Sequence, residues 1–319
     1  MEVTFLGTSS GTPTRGRNVS SVALQLPQRR EAWLFDCGEG TQHRLLASRV
    51  RISSIRRVFL THLHGDHLFG LMGLLTTLGL SGDPERVDVY GPEGLEEYVE
   101  TSARISGTNF AYPLGIHHVR GGTVFEDAEY AVTSALLAHR IPAYGYRVAE
   151  KPRPGTLDAG RALALGVPRG PLLGQLKEGR DVTLDDGRVV LAPQVCAPPA
   201  PGRVFAYLTD TTFCEASVRL ARGADLVVHE ATYGSEVARL AAERLHSTAE
   251  MAAEVARRAG ARRLFLTHFS PRYESPEPLV EEARALFPAT EAAADLLTVE
   301  IPRREAPEGG PNAAGGAAD

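Results

Sequence analysis

Short apolar runs alternate with longer segments of helical periodicity along most of the chain. Apolar runs that end at a glycine or a polar turn are typical of buried β-strands. They predict strands at Glu2–Gly7, Val22–Leu26, Ala32–Phe35, Arg57–Leu60, Val87–Tyr90, Tyr130–Thr133, Val204–Leu208, Leu226–Val228 and Leu264–Leu266. Helical spacing predicts helices at Leu68–Leu80, Glu93–Ile105 and Thr248–Ala259,. Strands that alternate with helices indicate an α/β layer protein rather than a β-sandwich.

Two regions depart from this alternation. Residues 151–195 are rich in Pro and Gly and carry seven basic and five acidic side chains. We interpret this stretch as an arm inserted into the main domain. The segment from Arg303 to the last residue is of low complexity, and its composition predicts a disordered tail,.

Composition narrows the class of protein. The chain has 319 residues and a formal net charge of −5, which argues against a protein that coats nucleic acid through a general basic excess,. No window reaches the roughly 20 apolar residues of a membrane span, and the first residues lack the pattern of a signal peptide. The three cysteines are widely spaced and odd in number, which argues against a framework of disulfide bonds,. Because free cysteines are typical of a reducing compartment, we expect a cytoplasmic protein.

The densest candidate chemistry lies just after the predicted strand Arg57–Leu60. His62, His64, Asp66 and His67 place four metal-binding side chains within six residues. Imidazole and carboxylate together suit zinc or a similar metal. A strand end that runs into a tight turn at Gly65 can point two of these side chains to each side, which favours two adjacent metal ions. The alternative is a solvated polar loop, although three of the ten histidines of the chain lie here.

Two metal ions require further ligands from elsewhere in the chain. His139, Asp210 and His268 each follow an apolar run, so each can lie at the same edge of a sheet. Thr267–His268 also repeats Thr61–His62, the pair that follows the predicted strand Arg57–Leu60. Taken singly, a histidine after a strand is usually structural and an aspartate there is often a helix cap. Together with the first cluster, the three residues complete a candidate dinuclear centre.

The pattern His62-x-His64-x-Asp66-His67, with a later His, a later Asp and a final His, resembles the metallo-β-lactamase superfamily. Further segments narrow the resemblance to the ribonuclease Z family, the endonucleases that trim tRNA precursors at the 3′ side. These segments are Phe35–Gln42, Leu165–Pro171, His229–Thr232 and His246–Thr248. The resemblance runs from residue 2 to about residue 302. It implies a four-layer αββα sandwich. It also implies that residues 1–302 form one domain, into which a flexible arm is inserted at about residues 151–195.

The resemblance also implies roles for individual residues. His62, His64 and His139 would hold one zinc ion, Asp66, His67 and His268 a second, and Asp210 would bridge them, with manganese or iron as alternative metals. Paired metal ions suit phosphodiester hydrolysis. Asp66 would accept a proton from the attacking water. His246 would protonate the leaving 3′-oxygen and Glu230 would orient it, the alternative being that His246 only caps the following helix.

Substrate contacts follow from the same resemblance. Arg15, Arg17 and Asn18 lie in a segment that resembles the family loop sensing nucleotides beyond the cut, although the family has Lys where this chain has Arg15,. Gly170 and Pro171 belong to the arm, which in the family clasps the tRNA elbow, often across a dimer. The expected partners are therefore a tRNA precursor and a second copy of the chain, with no membrane.

Two other functions remain open from the sequence. One is another metallo-hydrolase of the same fold, such as an arylsulfatase-like enzyme or a small phosphodiesterase, for which the arm would have no purpose. The other is an RNA-binding protein with an inactive metal site, against which the seven candidate ligands argue.

Overall fold

The computed structural model of the chain describes residues 1–81 and 84–304. The strands are β1 (Glu2–Gly7), β2 (Ser21–Leu26), β3 (Glu31–Phe35), β4 (Ile55–Phe59), β5 (Val87–Gly91), β6 (Leu114–His118), β7 (Gly122–Glu126), β8 (Tyr130–Leu136), β9 (Tyr144–Glu150), β10 (Val182–Thr183), β11 (Val189–Val190), β12 (Val204–Leu208), β13 (Leu226–Glu230), β14 (Leu264–Thr267), β15 (Thr290–Ala292) and β16 (Thr298–Glu300). The helices are α1 (Thr41–Ala47), α2 (Gly65–Leu68), α3 (Leu71–Ser81), α4 (Leu95–Ser106), α5 (Ala159–Ala164), α6 (Pro171–Lys177), α7 (Ala192–Val195), α8 (Glu215–Ala221), α9 (Ala238–Arg244), α10 (Ala249–Ala259) and α11 (Glu277–Leu286).

Two seven-stranded mixed sheets carry the fold. The first has the strand order β16-β1-β2-β3-β4-β5-β6 and the second the order β15-β14-β13-β12-β9-β8-β7. In the first sheet β3 to β6 run parallel to one another, and in the second β12 to β15 do. Each sheet therefore has a parallel half whose carboxyl ends share one edge, the usual location of a site in such sheets.

Three apolar clusters define four layers. Aromatic side chains from both sheets, Phe5, Phe35, Phe59, Tyr207 and Phe265 among them, form the cluster between the sheets. Helices α1, α3 and α4 cover the outer face of the first sheet, and helices α8, α10 and α11 cover the second. This arrangement confirms the predicted αββα sandwich, in which each sheet buries both faces.

The predicted strands and helices are confirmed with boundaries shifted by a few residues. Strands β6, β7, β9, β15 and β16 were not predicted, because several are short or half-exposed and their sequences carry no continuous apolar run. The predicted helix Leu68–Leu80 is in fact two helices, α2 and α3. They separate at Gly70, where a Cβ atom would lie 2.0 Å from the carbonyl oxygen of Gly38, so only glycine permits this close approach,.

The predicted arm falls within a second compact unit, Glu150–Arg203. Helices α5, α6 and α7 and the hairpin β10–β11 enclose an apolar cluster that includes Ala162, Leu176, Val182 and Val195. At its base the backbones of Arg153 and Ala200 exchange two hydrogen bonds of 3.0 Å. Of the predicted tail, the residues after Arg304 lie outside the described ranges.

Two further observations concern membrane-spanning helices and the state of the cysteines. In the described part of the chain, no helix has the length and apolar character needed to cross a bilayer. Cys37, Cys196 and Cys214 are free thiols.

Candidate metal centre

The candidate site lies at the carboxyl ends of the two parallel strand sets. His62 follows β4 by three residues, Asp210 follows β12 by two, and His268 follows β14 directly. Asp36, Asp210 and His268 have positive φ angles of 59°, 54° and 59°, a conformation that non-glycine residues rarely adopt,. The left-handed turn at each strand end is thus a local strain retained at this edge of the molecule.

One group of candidate ligands consists of His62, His64, His139 and Asp210, whose ligand atoms all lie within 4.8 Å of one another. His62 Nε2 lies 2.9 Å from His64 Nδ1, and His139 Nε2 lies 3.4 Å from the same Nδ1 atom. His64 therefore faces the group through Nδ1, whereas the other two imidazoles use Nε2.

A second group consists of Asp66, His67 and His268. The two Nε2 atoms of His67 and His268 are 3.2 Å apart. Asp66 Oδ2 lies 3.4 Å from the first and 3.5 Å from the second, and it accepts a hydrogen bond of 2.8 Å from the Gly11 amide.

Asp210 lies between the two groups and divides its carboxylate oxygens between them. Oδ1 lies 3.2 Å from His67 Nε2 and 3.1 Å from His268 Nε2. Oδ2 lies 3.5 Å from His62 Nε2 and 3.8 Å from His139 Nε2. Burial would raise the pKa of Asp210, but the neighbouring imidazoles, His268 first, lower it well below its ordinary value.

The hydrogen bonds around the imidazoles test whether these residues fit a metal. His67 Nδ1–H donates to the Asp36 carboxylate at 2.7 Å, and His139 Nδ1–H donates to the Leu245 carbonyl at 3.2 Å. His62 Nδ1 and His268 Nδ1 lie 2.9 Å from the Thr61 and Thr232 hydroxyls. With Nδ1 so engaged, each Nε2 atom points inward, the orientation found in metal-binding histidines.

The protonation of the first group agrees with this test. Burial lowers the pKa of His62 well below its ordinary value, and burial also lowers the pKa of His64 and His139. Neutral imidazoles and a carboxylate are a ligand set of the kind that zinc and similar metals bind. The residues present therefore fit a metal centre.

His246 lies beside this cluster and lines a cleft of about 300 Å³ together with Asp66, Asp210 and His268. Its Nδ1 atom is 3.0 Å from Glu230 Oε1. Burial disfavours the charged imidazolium, but the Glu230 carboxylate outweighs burial and raises the pKa of His246 to about 9. Capping of α10 is carried out by Thr248, whose hydroxyl accepts from the Met251 amide, so His246 is free of that function,.

Glu230 accepts several hydrogen bonds in addition to its contact with His246. It is fully buried and accepts hydrogen bonds from the Thr211 amide at 2.6 Å, the Thr232 hydroxyl at 2.6 Å and the Ser247 amide at 3.0 Å. Because Thr232 in turn contacts His268 and Thr211 follows Asp210, this one carboxylate supports both sides of the cluster.

Sequence reasoning did not assign a role to Asp36, although the segment that contains it carries part of the family resemblance. Asp36 is fully buried and accepts from the Thr61 amide at 2.8 Å and from the Tyr207 hydroxyl at 3.1 Å, in addition to His67. The available signal was an acidic residue immediately after a buried strand. Cys37 beside it is fully buried and lies outside the clusters of candidate ligands in the described residues.

The residues predicted to contact RNA differ in their surroundings. Arg15 is exposed. The Arg17 guanidinium donates to the Tyr273 carbonyl and lies 5.7 Å from the centre of the Phe269 ring. The side-chain amide of Asn18 donates to the Glu39 carbonyl at 2.8 Å. Gly170, with φ 145°, and Pro171 begin α6 in the second unit.

Two family models match parts of the chain. The model described as anti-Pycsar protein Apyc1 matches residues 1–104, and the one described as a beta-lactamase superfamily domain matches residues 195–269.

Curated proteins named ribonuclease Z match nearly the whole chain. The one from Cyanothece sp. (strain PCC 7425 / ATCC 29141) is 58% identical, covering 97% of this chain and 98% of that protein. The one from Synechocystis sp. (strain ATCC 27184 / PCC 6803 / Kazusa) is 57% identical, covering 96% of each. Among solved structures, human tRNase Z, short form, aligns with a TM-score of 0.70 and 30% identity, over 95% of this chain and all of that one. Identity at this level over this length shows that the chain belongs to the ribonuclease Z family, metal-dependent endonucleases of the metallo-β-lactamase fold that process the 3′ ends of tRNA.

Proposed function

We propose that this chain cleaves tRNA precursors with two metal ions, zinc by expectation, held by the seven clustered side chains. The product tRNA carries a 3′-hydroxyl and the released trailer a 5′-phosphate. The observation that supports the dinuclear arrangement is the division of the Asp210 carboxylate, whose two oxygens face different groups of imidazoles. When bound, paired ions would polarise a phosphodiester and lower the pKa of water enough to supply hydroxide for the attack near neutral pH.

Asp66 would orient the attacking water as well as bind metal. The Gly11 amide holds its Oδ2 atom, which fixes the direction of the carboxylate. Burial would raise the pKa of Asp66, but His67 and His268 outweigh burial and lower it far below the ordinary value. Because so weak a base accepts a proton poorly, orientation is the larger part of the role that we assign to this carboxylate.

His246 would protonate the leaving 3′-oxygen. Its raised pKa keeps the imidazole protonated at neutral pH, and it lines the same cleft as Asp66 and Asp210. Glu230 would hold the ring by the Nδ1–H bond, which leaves Nε2–H as the proton donor to substrate,.

RNA contacts would come from two regions. In the first, Arg15 would meet the substrate directly, and Arg17 and Asn18 would hold the shape of the loop through their contacts to Tyr273 and Glu39. In the second, the arm with Gly170 and Pro171 would grip tRNA through its phosphates and shape.

We further propose a cytoplasmic homodimer. Leu46 on α1, Phe69 before α3 and Leu80 on α3 are 72%, 63% and 84% exposed, and α1 packs beside α3. Phe69 lies between α2 and α3, and α1 and α3 both belong to the helical layer over the first sheet. Large apolar side chains on one surface are typical of an interface between protein chains. Three free thiols agree with a reducing compartment,.

The test combines cleavage-site mapping with metal analysis. The parent protein should cut a tRNA precursor at the 3′ boundary and retain two metal ions per chain. Asp210→Ala should abolish cleavage and lose at least one ion, because both groups lose a ligand. Asp127→Ala, which removes a half-buried carboxylate paired with Arg29, should retain both properties. Full activity and two ions in Asp210→Ala would refute the bridging role.

A further inference from the structure

A second pocket lies beside the proposed metal centre and takes no part in the roles assigned above. It has a volume of about 330 Å³. Leu63, which stands between His62 and His64, forms one wall, and Ile141 and Pro142, which follow His139, form another. We call this cavity the Leu63 pocket. Two of its walls are thus extensions of the segments that carry the first group of candidate ligands.

The position of the pocket is fixed by the backbone. The Tyr144 amide donates a 2.9 Å hydrogen bond to the carbonyl of Thr61, the residue before His62. On the opposite side Leu63 packs so closely on Gly94 that a Cβ atom at Gly94 would lie 3.2 Å from Leu63 Cδ1. A group in the Leu63 pocket would therefore keep a constant position relative to the proposed cleavage site.

The lining suits a flat heterocycle with a polar edge. Leu63, Pro92, Pro142 and Tyr144 contribute apolar or aromatic side chains to the lining. Its polar side chains are Glu93, Arg120 and His118, of which His118 pairs with Glu96 at 3.5 Å. Within the ranges that the structure describes, the Glu93 and Arg120 side chains, both exposed, make no hydrogen bond or ion pair. An acceptor and a set of donors are thus available among mostly apolar lining residues, the usual composition of a small-ligand site,.

We propose that the Leu63 pocket binds the base of one nucleotide that flanks the scissile phosphate. The inference rests on the proposed cleavage of tRNA precursors. Single-stranded nucleotides are recognised with their bases splayed out, stacked on aromatic side chains and read at their polar edges. The volume accommodates one nucleobase, and the shared walls with the metal-binding segments place that base next to the cut. Holding it would position the phosphate and add a preference for particular bases at this position.

The experiment pairs a pocket-filling variant with altered substrates. Ile141→Trp occupies the pocket, and Leu136→Trp is its control, because Leu136 is 57% exposed and lies outside the lining. The substrates are a tRNA precursor and two versions that lack the base either before or after the scissile phosphate. Single-turnover cleavage and metal content are measured for each protein.

In the parent and in Leu136→Trp, one of the two abasic substrates should be cut about 5- to 150-fold more slowly, the effect of losing ~1–3 kcal/mol of stacking. That substrate identifies which flanking base is bound. In Ile141→Trp the intact substrate should be slow and this difference should disappear, because the protein change and the substrate change remove the same interaction. If Ile141→Trp loses metal, Arg120→Ala provides the second comparison and should reduce the difference between natural bases at that position.

Equal cleavage of all three substrates by the parent would overturn the proposal, as would an undiminished abasic effect in Ile141→Trp with metal retained. Neither result touches the proposed function, which fails only if the parent does not cut the intact precursor.

Discussion

Asp36 Oδ2 lies 2.7 Å from His67 Nδ1, and neither side chain is exposed to solvent. The carboxylate thereby holds the ring so that Nε2 faces Asp66, Asp210 and His268. A carboxylate that orients a metal-binding imidazole is a recurrent feature of such centres and raises the basicity of the ligand.

Asp36→Asn should therefore weaken metal binding by about 10- to 100-fold, because an amide cannot replace the carboxylate as the acceptor from every donor around it. The measurement is competition with a chelator of known affinity. Asp88→Asn is the matched control. Asp88 Oδ1 also lies 2.7 Å from an imidazole nitrogen, His117 Nε2, but outside the metal cluster. Equal metal affinity in the parent and Asp36→Asn would contradict the positioning role.

His246→Ala should separate chemistry from binding. The proposed proton transfer contributes about 10²–10⁴-fold to the rate, and the residue is not among the seven proposed ligands. Single-turnover cleavage should fall by that factor while zinc content and tRNA affinity stay near the parent values. His43→Ala, which changes an exposed histidine on α1, should have no effect. Loss of zinc in His246→Ala would instead make His246 a ligand.

A test of Glu230, the hydrogen-bond partner of His246, needs a conservative substitution. Glu230→Ala would leave the Thr211 and Ser247 amides without their acceptor, at a cost of roughly 1–3 kcal/mol for each buried group,. Glu230→Gln keeps the shape of the side chain and one acceptor oxygen, removes the charge, and so disturbs these amides less than Glu230→Ala does. It should lower the rate less than His246→Ala does, and the double variant should be no slower than His246→Ala, because the two residues act as a unit.

Removal of the arm should weaken RNA binding and leave folding and metal binding unchanged. Arg153 and Ala200 form a hydrogen-bonded pair, so a two-residue Asn-Gly turn can replace Pro154–Pro199,. The shortened protein should fold and bind metal, because none of the seven proposed ligands lies in the deleted segment. Its tRNA affinity should fall, and the slope of log affinity against log salt should decrease by roughly 0.7–0.9 for each phosphate that the shortened protein no longer neutralises. Unchanged affinity and slope would refute the RNA-binding role of the arm.

The apolar surface on α1 and α3 should control assembly. Leu46→Glu combined with Leu80→Glu should convert a dimer into a monomer, because each buried glutamate would lose its hydration without a partner. Sedimentation equilibrium gives the mass directly. Leu136→Glu is the control, since Leu136 is 57% exposed on β8, a strand of the other sheet. A monomeric parent, or a dimeric double variant, would contradict this interface.

The layer class, most core strands and the candidates for the metal centre could be predicted from the order of residues alone. Buried parallel strands favour nearly continuous apolar runs, so β12 and β14 are visible in the sequence alone,. His62, His64, Asp66 and His67 are close in sequence, and they are therefore close in any compact fold. His139, Asp210 and His268 could be added because each follows an apolar run, and the resemblance to a family then supplied their roles.

No sequence pattern predicts which ring nitrogen faces the centre or how the two Asp210 oxygens are divided between the groups. Those features depend on hydrogen bonds between distant segments, such as His139 with Leu245 or His67 with Asp36, and on left-handed turns at strand ends. The same reason explains why edge strands such as β15 and β16 were missed. They are three residues long and take their order from the strands beside them rather than from a pattern of their own,.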